Sequence, residues 1–495
     1  MPAPDEFDTL VVGAGIVGLT TALLCAEAGL TVAVLTAEPV GGGSTGRSIG
    51  VVSQLHGTAY SRMRSETAAR NAAAYRAMNA DGFAWLLAFC ERVHVPVRRF
   101  DALLVAEDPA TAQRIDDEHL AARRAGLGVE KVRGLDLPFS TFGGLRLPDQ
   151  AVVEPGALLD ALARAAVGAG VELLQGERMV GASVVRSGVS TVETTIGTRR
   201  ARRIVLATGT PVLDRGLYLL KTQPLRILAT AGSTSGAVAS QVVTVTGSRG
   251  SHTIAPAADG VAVTGGAHPV GVGGPESRRA AALEGWAAEH VPGFERTRTW
   301  SGQDYRPYNP IGFVGWLPRG AGRVRLASGF DGWGLTNGAG AAIRLTAELL
   351  GQREPAWART IGRRNTRPAS FGLGATADAQ AAARRVLSVV RLAPADRRLL
   401  AEGGGVVHRV GDAVVATSRV GGTVRSVSGT CTRFGGALTW NDLEHSWDCP
   451  VCGSRFAPDG GVLEGGARTP LATLPTDPAD WGVAPPAGRP ATAIN

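Results

Sequence analysis

Cys431, Cys449 and Cys452 crowd into the stretch CTRFGGALTWNDLEHSWDCPVCGSRF (431–456), three of only five cysteines in a chain of 495 residues. Thiolates are soft ligands, and C-x-x-C spacing lets two sulfurs reach one metal ion. Three such sulfurs, with His445 or water as fourth donor, would suit zinc. Cys449 and Cys452 by themselves could instead cycle as a redox dithiol. At the other end of the chain, VVGAGIVGLTTA places G-x-G-x-x-G at Gly13, Gly15 and Gly18. The first glycine permits a tight turn, the second lets a pyrophosphate approach the backbone, and the third lets helix pack on strand. This pattern predicts a dinucleotide site.

Such a turn works only between a strand and a helix, and the flanking residues supply both. DTLVV and LTVAVL are short apolar runs, while GAGIVGLTTALLCAEAG carries apolar residues at helical spacing. The acidic residue that ordinarily binds the ribose hydroxyls about 20 residues on is replaced by Thr36, with Glu38 two residues later as its substitute. No arginine flanks this strand end, which argues against a 2′-phosphate. Downstream, helical PGALLDALARAAVGAG alternates with strand-like RRIVLATG, and β-type segments dominate from about 240 to 330. The helix NGAGAAIRLTAELLG closes this part. Residues 366–398 read as a linker containing a helix, 399–475 as a small all-β module, and 476–495 as a disordered tail.

Composition narrows the function classes. The net charge of +8 rests almost wholly on scattered arginines, since the lysines are Lys131 and Lys221, and no basic arm or aromatic platform for nucleic acid emerges. No run of about 18 apolar residues spans a bilayer, and the start MPAPDEF is acidic where a secretory leader is basic. Sparse cysteines fit a reducing, cytoplasmic setting. Cys25 and Cys90 lie in apolar stretches and are expected as buried structural thiols. His94, His119 and His290 lie among helical, charged residues and are expected at the surface.

Four further segments occur in a telling order: GGGSTGRSIGVVSQLHG (41–57), RIVLATGTPV (203–212), WSGQDYRPYNPIGFVG (300–315) and LASGFDGWGLTNGAG (326–340). Together with the Gly-rich turn they resemble the D-amino-acid-oxidase-like, FAD-dependent oxidoreductases of the glycine/sarcosine oxidase type, over about residues 8–360. The resemblance implies an α/β FAD-binding Rossmann-like domain with an interleaved β-rich substrate domain. Its FAD-binding segments would be about 8–60, 150–215 and 320–360, and its substrate segments about 61–149 and 216–319, within 1–365. It further implies that Ser44, Thr45, Gly46 and Arg47 wrap the cofactor, and that Gly209 lets the chain pass beside it. Gly329, Gly332, Trp333, Gly334, Leu335 and Thr336 would meet the flavin's pyrimidine edge, where a helix N-terminus stabilises negative charge.

The chemistry this resemblance implies is removal of hydride from a carbon beside nitrogen in a small amine or amino acid. The amine lone pair drives the step, so the protein chiefly orients the substrate and excludes water. A substrate carboxylate calls for a bidentate arginine, for which Arg306, Arg226 and Arg47 are the candidates. Tyr305 and Tyr308 would line or lid the pocket, and His56 follows the flavin loop.

The chain also resembles the subgroup of this family that carries a C-terminal Rieske-type [2Fe–2S] domain, whose tail reads C-T-H-L-G-C…W-N…SWDCPCHGSRF. Cys431 and Cys449 stand at the two cysteine ligand positions, but Arg433 and Cys452 stand at the two histidine positions. Gly436 and Val451 replace the subgroup's extra cysteines. Three readings follow: a lost cluster in a surviving β domain; an altered centre holding zinc or an unusual iron–sulfur cluster; or a dithiol relay. The first is the expectation, and O2 then becomes the electron acceptor. A dehydrogenase with a modified C-terminal centre, or a flavin-binding scaffold protein, are the alternatives.

Overall fold

Short apolar β-branched runs joined through glycine turns must stack into a sheet covered by helices. The computed structural model, which describes residues 6–235, 240–248, 250–363 and 400–475, shows that arrangement. Phe7–Val12 is the centre of an eight-stranded sheet. It pairs in parallel with Val32–Thr36 on one side and Thr198–Leu206 on the other. Glu172–Gln175 extends the sheet beyond Val32–Thr36, and Val324–Ser328 extends it beyond Thr198–Leu206. Every residue of Val32–Thr36 and of Val324–Ser328 is buried, as expected of strands covered on both faces. Because these strands are parallel, the turns after Val12, Thr36, Leu206 and Ser328 gather at one edge. That edge is where open α/β sheets bind ligands.

A second, nine-stranded sheet contains Glu295–Pro307, Thr222–Ser233, Gly260–Pro269, Gly250–Ala257, Val242–Gly247, Val97–Ala106 and Gly144–Val153 in spatial order, ending on Val51–Val52. Phe313–Trp316 belongs instead to the first sheet, antiparallel to Val324–Ser328. Helix Gly334–Leu350 is buried along most of its length and packs against Ile16–Glu27 and Ala69–Arg92.

The chain divides into two compact units, one within Met1–Pro269 and Arg278–Gln380, the other within Val270–Ser277 and Ala381–Asn495. The second contains two four-stranded sheets. The linker and tail expected at 366–398 and 476–495 lie outside the described residues. Cys25 and Cys90 are buried thiols, pushed up to about 11 by burial. His290 departs from expectation: it is buried in a stack with Trp286 and His252, at 3.9 and 4.1 Å between ring centroids. Sequence neighbours suggested a surface helix, but one face of that helix packs on the second sheet. Among the described residues no helix is long and apolar enough to cross a membrane.

Candidate active site

The Gly-rich turn is built by contacts that leave no room for side chains. Gly13 adopts φ 110° and donates to Leu35 O at 2.8 Å, and a Cβ there would lie 2.5 Å from Ala207 O. A Cβ on Gly18 would lie 1.8 Å from Gly13 O. Helix Ile16–Glu27 has Gly15 as N-cap without a capping side chain, and its first turn carries no acidic residue. Its first turn therefore keeps N–H groups and a positive dipole end for an anion. Thr45 Oγ1 accepts from Ile16 N at 3.3 Å and so ties the second glycine-rich loop to this turn. At the next strand end, Thr36 Oγ1 donates to Glu38 O at 2.8 Å. The Glu38 carboxylate is exposed beside the cradle, 3.9 Å from Arg178.

Loop 41–48 meets the second sheet through side chains. Ser44 Oγ donates to Gln303 O at 2.5 Å, and Arg47 donates to Gly42 O at 3.1 Å and Ser301 O at 3.2 Å. Trp300 Nε1 donates back to Arg47 O at 2.8 Å. Gly46 is forced to be small, since a Cβ would lie 2.1 Å from Gly41 O. Arg47 therefore pins the loop, which removes it as a carboxylate holder. Arg226 is fully buried within the second sheet.

Strand Glu295–Pro307 ends against the glycine-rich turns of the first sheet. Tyr305 is buried, accepts from Gln303 Nε2 at 2.7 Å, and sets its ring where a Cβ on Gly209 would come within 3.2 Å. Pro307 packs likewise at Gly329. On the opposite face of the strand, Asp304 accepts from Gly332 N and Tyr305 N. Burial pushes its carboxyl up to about 6, with Asp331 adding to the rise. Arg306 Nε donates to Asp331 Oδ1 at 2.7 Å, and its side chain stays 41% exposed. Its two terminal nitrogens bond nothing among the described residues. Arg62 holds the other Asp331 oxygen at 3.3 Å.

Beneath this rim lies a buried polar chain that sequence spacing did not reveal. His56 Nε2 lies 2.6 Å from Ser53 O, which can only accept, so Nε2 carries the proton of the neutral ring. Nδ1 then accepts from Tyr75 OH at 2.7 Å, and Tyr75 accepts from Asn337 Nδ2 at 3.1 Å. The other Asn337 amide proton goes to Trp333 O at 2.9 Å, and Asn79 Nδ2 donates to Asn337 Oδ1 at 3.2 Å. Thr336 Oγ1 donates to Ser53 O at 3.1 Å, and Trp333 stacks on His56 at 4.7 Å. Burial pulls His56 down to about 4, so the ring stays neutral. His56 thus positions the start of helix Gly334–Leu350, with both nitrogens occupied by protein, and does not reach outward as a base. Leu335 is buried in the same helix start.

In the second unit, Cys431, Cys449 and Cys452 are all buried, and their sulfurs lie within 4.8 Å of one another. Two loops of matching design carry them. Cys431 N donates to Gly436 O and Gly435 N to Cys431 O, both at 2.8 Å; Cys449 N donates to Ser454 O at 2.8 Å and Gly453 N to Cys449 O at 2.9 Å. Gly435 and Gly453 turn each loop at φ 65° and 70°. Val451 fills the place beside Gly436, where a Cβ would lie 2.7 Å from Val451 Cγ2. The Cys452 thiol is held well below its ordinary range by hydrogen bonds from Cys431 and then Cys449, with the charge of Arg433 assisting. His445, expected as a fourth donor, stacks near Trp440 and stands outside the group.

Residues 8–349 match the family model described as DAO, FAD dependent oxidoreductase. The chain belongs to that family. A relative from Bacillus subtilis strain 168, YhfW, named a Rieske 2Fe-2S iron-sulfur protein, is 26% identical over 95% of this chain and 94% of its own length. Iron-sulfur subunit 3 of the cytochrome b6-f complex from Nostoc is 49% identical over 41 residues, 8% of this chain and 23% of that protein. Glycine oxidase from Geobacillus kaustophilus shares the fold with a TM-score of 0.59 and 18% identity, over 70% of this chain and 95% of its own.

The residues present fit FAD: the Gly13–Gly18 cradle and helix end suit its pyrophosphate, and Thr36 and Glu38 offer ribose partners. The two Cys and two His of a Rieske centre are not matched. Arg433 has donors only and cannot ligate, and Cys452 has closed onto the cysteines of the other iron's pair.

Proposed function

We propose that this FAD-dependent oxidoreductase dehydrogenates a C–N bond in a small amino acid or carboxylate-bearing amine, with O2 as final electron acceptor. The observation that carries the reading is Arg306. Asp331 anchors its Nε at 2.7 Å and leaves both terminal nitrogens for a bidentate carboxylate at the rim of the strand-end turns. Bound FAD supplies the hydride acceptor. The chain's own residues hold the carboxylate through Arg306, close the pocket wall with Tyr305, and direct the N-terminal dipole of helix Gly334–Leu350 at the site. The neutral, internally bonded His56 leaves proton loss to the substrate amine itself. The name of glycine oxidase, a fold relative, agrees with an amino-acid substrate. The unmatched Rieske ligand pattern supports O2 over a relay through the second unit.

Anaerobic mixing of the flavin-loaded chain with a panel of amino acids and amines tests this. At least one carboxylate-bearing amine should bleach the flavin's visible absorbance and, in air, yield one hydrogen peroxide per turnover. Arg306→Gln should raise KM for that substrate about 100-fold, the loss of a charged bidentate pair worth about 3 kcal/mol. A panel that leaves the flavin oxidised throughout would sink the reading.

A further inference from the structure

We propose that Cys431, Cys449 and Cys452 hold a single zinc ion as three thiolates, with Arg433 as counter-charge and water in the fourth position. The sulfur spacing decides between one metal and two. Zinc–sulfur bonds of about 2.3 Å in a tetrahedron set sulfurs about 3.8 Å apart, and Cys431 Sγ lies 3.7 Å from Cys452 Sγ. On a [2Fe–2S] cluster, position 452 would serve the second iron and stand off from Cys431 and Cys449 by the width of the two-iron core. Here all three sulfurs lie within 4.8 Å.

The surroundings are organised for an anionic sulfur set. The matched hydrogen bonds of the two loops fix Cys431 and Cys449 before any ion arrives. Ser454 Oγ accepts from Ala467 N at 3.0 Å and stands 3.2 Å from Cys452 Sγ, placed to donate to a thiolate. Zinc with three thiolates carries one net negative charge, costly in a site this buried unless paired. Arg433 supplies the pair. It has no lone pair to bind metal, and it stands two residues from Cys431 in the same loop. It lies where Gly466 leaves space, since a Cβ there would meet Nη1 at 1.5 Å. Binding releases the remaining thiol protons to solvent and transfers no electrons. Zinc has no accessible second oxidation state, so such a module carries no current from the flavin.

Elemental analysis and zinc X-ray absorption on the purified full chain test this. The expected result is about one zinc per chain after exhaustive dialysis, with three sulfurs at about 2.3 Å. Cys452→Ser should lower the zinc content to less than about a fifth of wild type, while Cys25→Ser should leave it unchanged. Arg433→Gln, which keeps every ligand, should weaken zinc affinity about tenfold and so carries the test if Cys452→Ser fails to fold. Iron with acid-labile sulfide would overturn the proposal, as would a zinc-resistant chain with three free thiols or a Cys431–Cys452 disulfide.

Discussion

His56 shows how one side chain acts through its neighbours. Its two nitrogens, one donating to Ser53 O and one accepting from Tyr75, allow only the neutral ring. Burial lowers its proton affinity to about 4 against an ordinary 6.5. As pH falls, the unfolded chain protonates this histidine first. The stability it contributes is therefore whole above about 6.5, erodes between about 6.5 and 4, and is gone below, a span of about 3 kcal/mol. His56→Gln removes that slope: unfolding by denaturant at pH 7 and pH 4.5 should show wild type losing about 2 kcal/mol more than the variant. Parallel pH curves for the two chains would refute the neutral, buried assignment. Arg306 belongs to the same scale, since its value lies in two nitrogens that Asp331 leaves unused.

Among elements, the crossing of helices Ala69–Arg92 and Gly334–Leu350 decides where the N-terminal dipole of the second helix points. Gly82 and Gly340 bring the two backbones together: a Cβ on Gly82 would lie 2.2 Å from Thr336 O, and one on Gly340 2.5 Å from Met78 O. Asn79 and Asn337 bridge the same crossing at 3.2 Å. Gly82→Ala should therefore lower stability by about 3 kcal/mol and weaken FAD retention, because the helix start at Trp333 must shift. Thermal melting with flavin-release fluorescence measures both. A variant as stable as wild type would show that the crossing is loose. Glu118 plays a comparable part elsewhere, its buried carboxylate accepting from Tyr60 N at 3.0 Å and Ser61 N at 2.7 Å to cap helix Ala59–Glu66.

For the whole molecule, the question is whether the second unit shares in the redox chemistry. The sulfur set argues for a single redox-inert ion. Removing metal with a chelator under native conditions should leave substrate-dependent flavin reduction and peroxide yield within about twofold. A collapse of either on metal removal, restored by iron and sulfide, would place the module on the electron path. Several arginines, among them Arg325 with Glu348 and Arg455 with Asp448, are held in internal ion pairs.

The strand–glycine–helix turn and the rewritten ligand box were legible in residue order, because each lies within one short stretch, and the order of the flavin segments was legible through the family resemblance. Gly18 is held small by Gly13 O five residues away, whereas Gly13 is held small by Ala207 O from a distant strand end. The polar chain from Ser53 through His56, Tyr75 and Asn337 to Asn79 was not legible. Its members come from three separate segments, 53–56, 75–79 and the helix start at Asn337, and no spacing rule couples the three. The same holds for Arg47 and Arg226, whose type suggested substrate binding while tertiary packing assigned one to a loop pin and buried the other. His290 looked like a surface residue because helical charge patterns do not report which face a neighbouring sheet covers. Cys431, Cys449 and Cys452 announced themselves as metal-ligand types by spacing, but only folding could say how far apart their sulfurs stand. That distance is set by how two loops more than a dozen residues apart pack on each other, and it separates one ion from two.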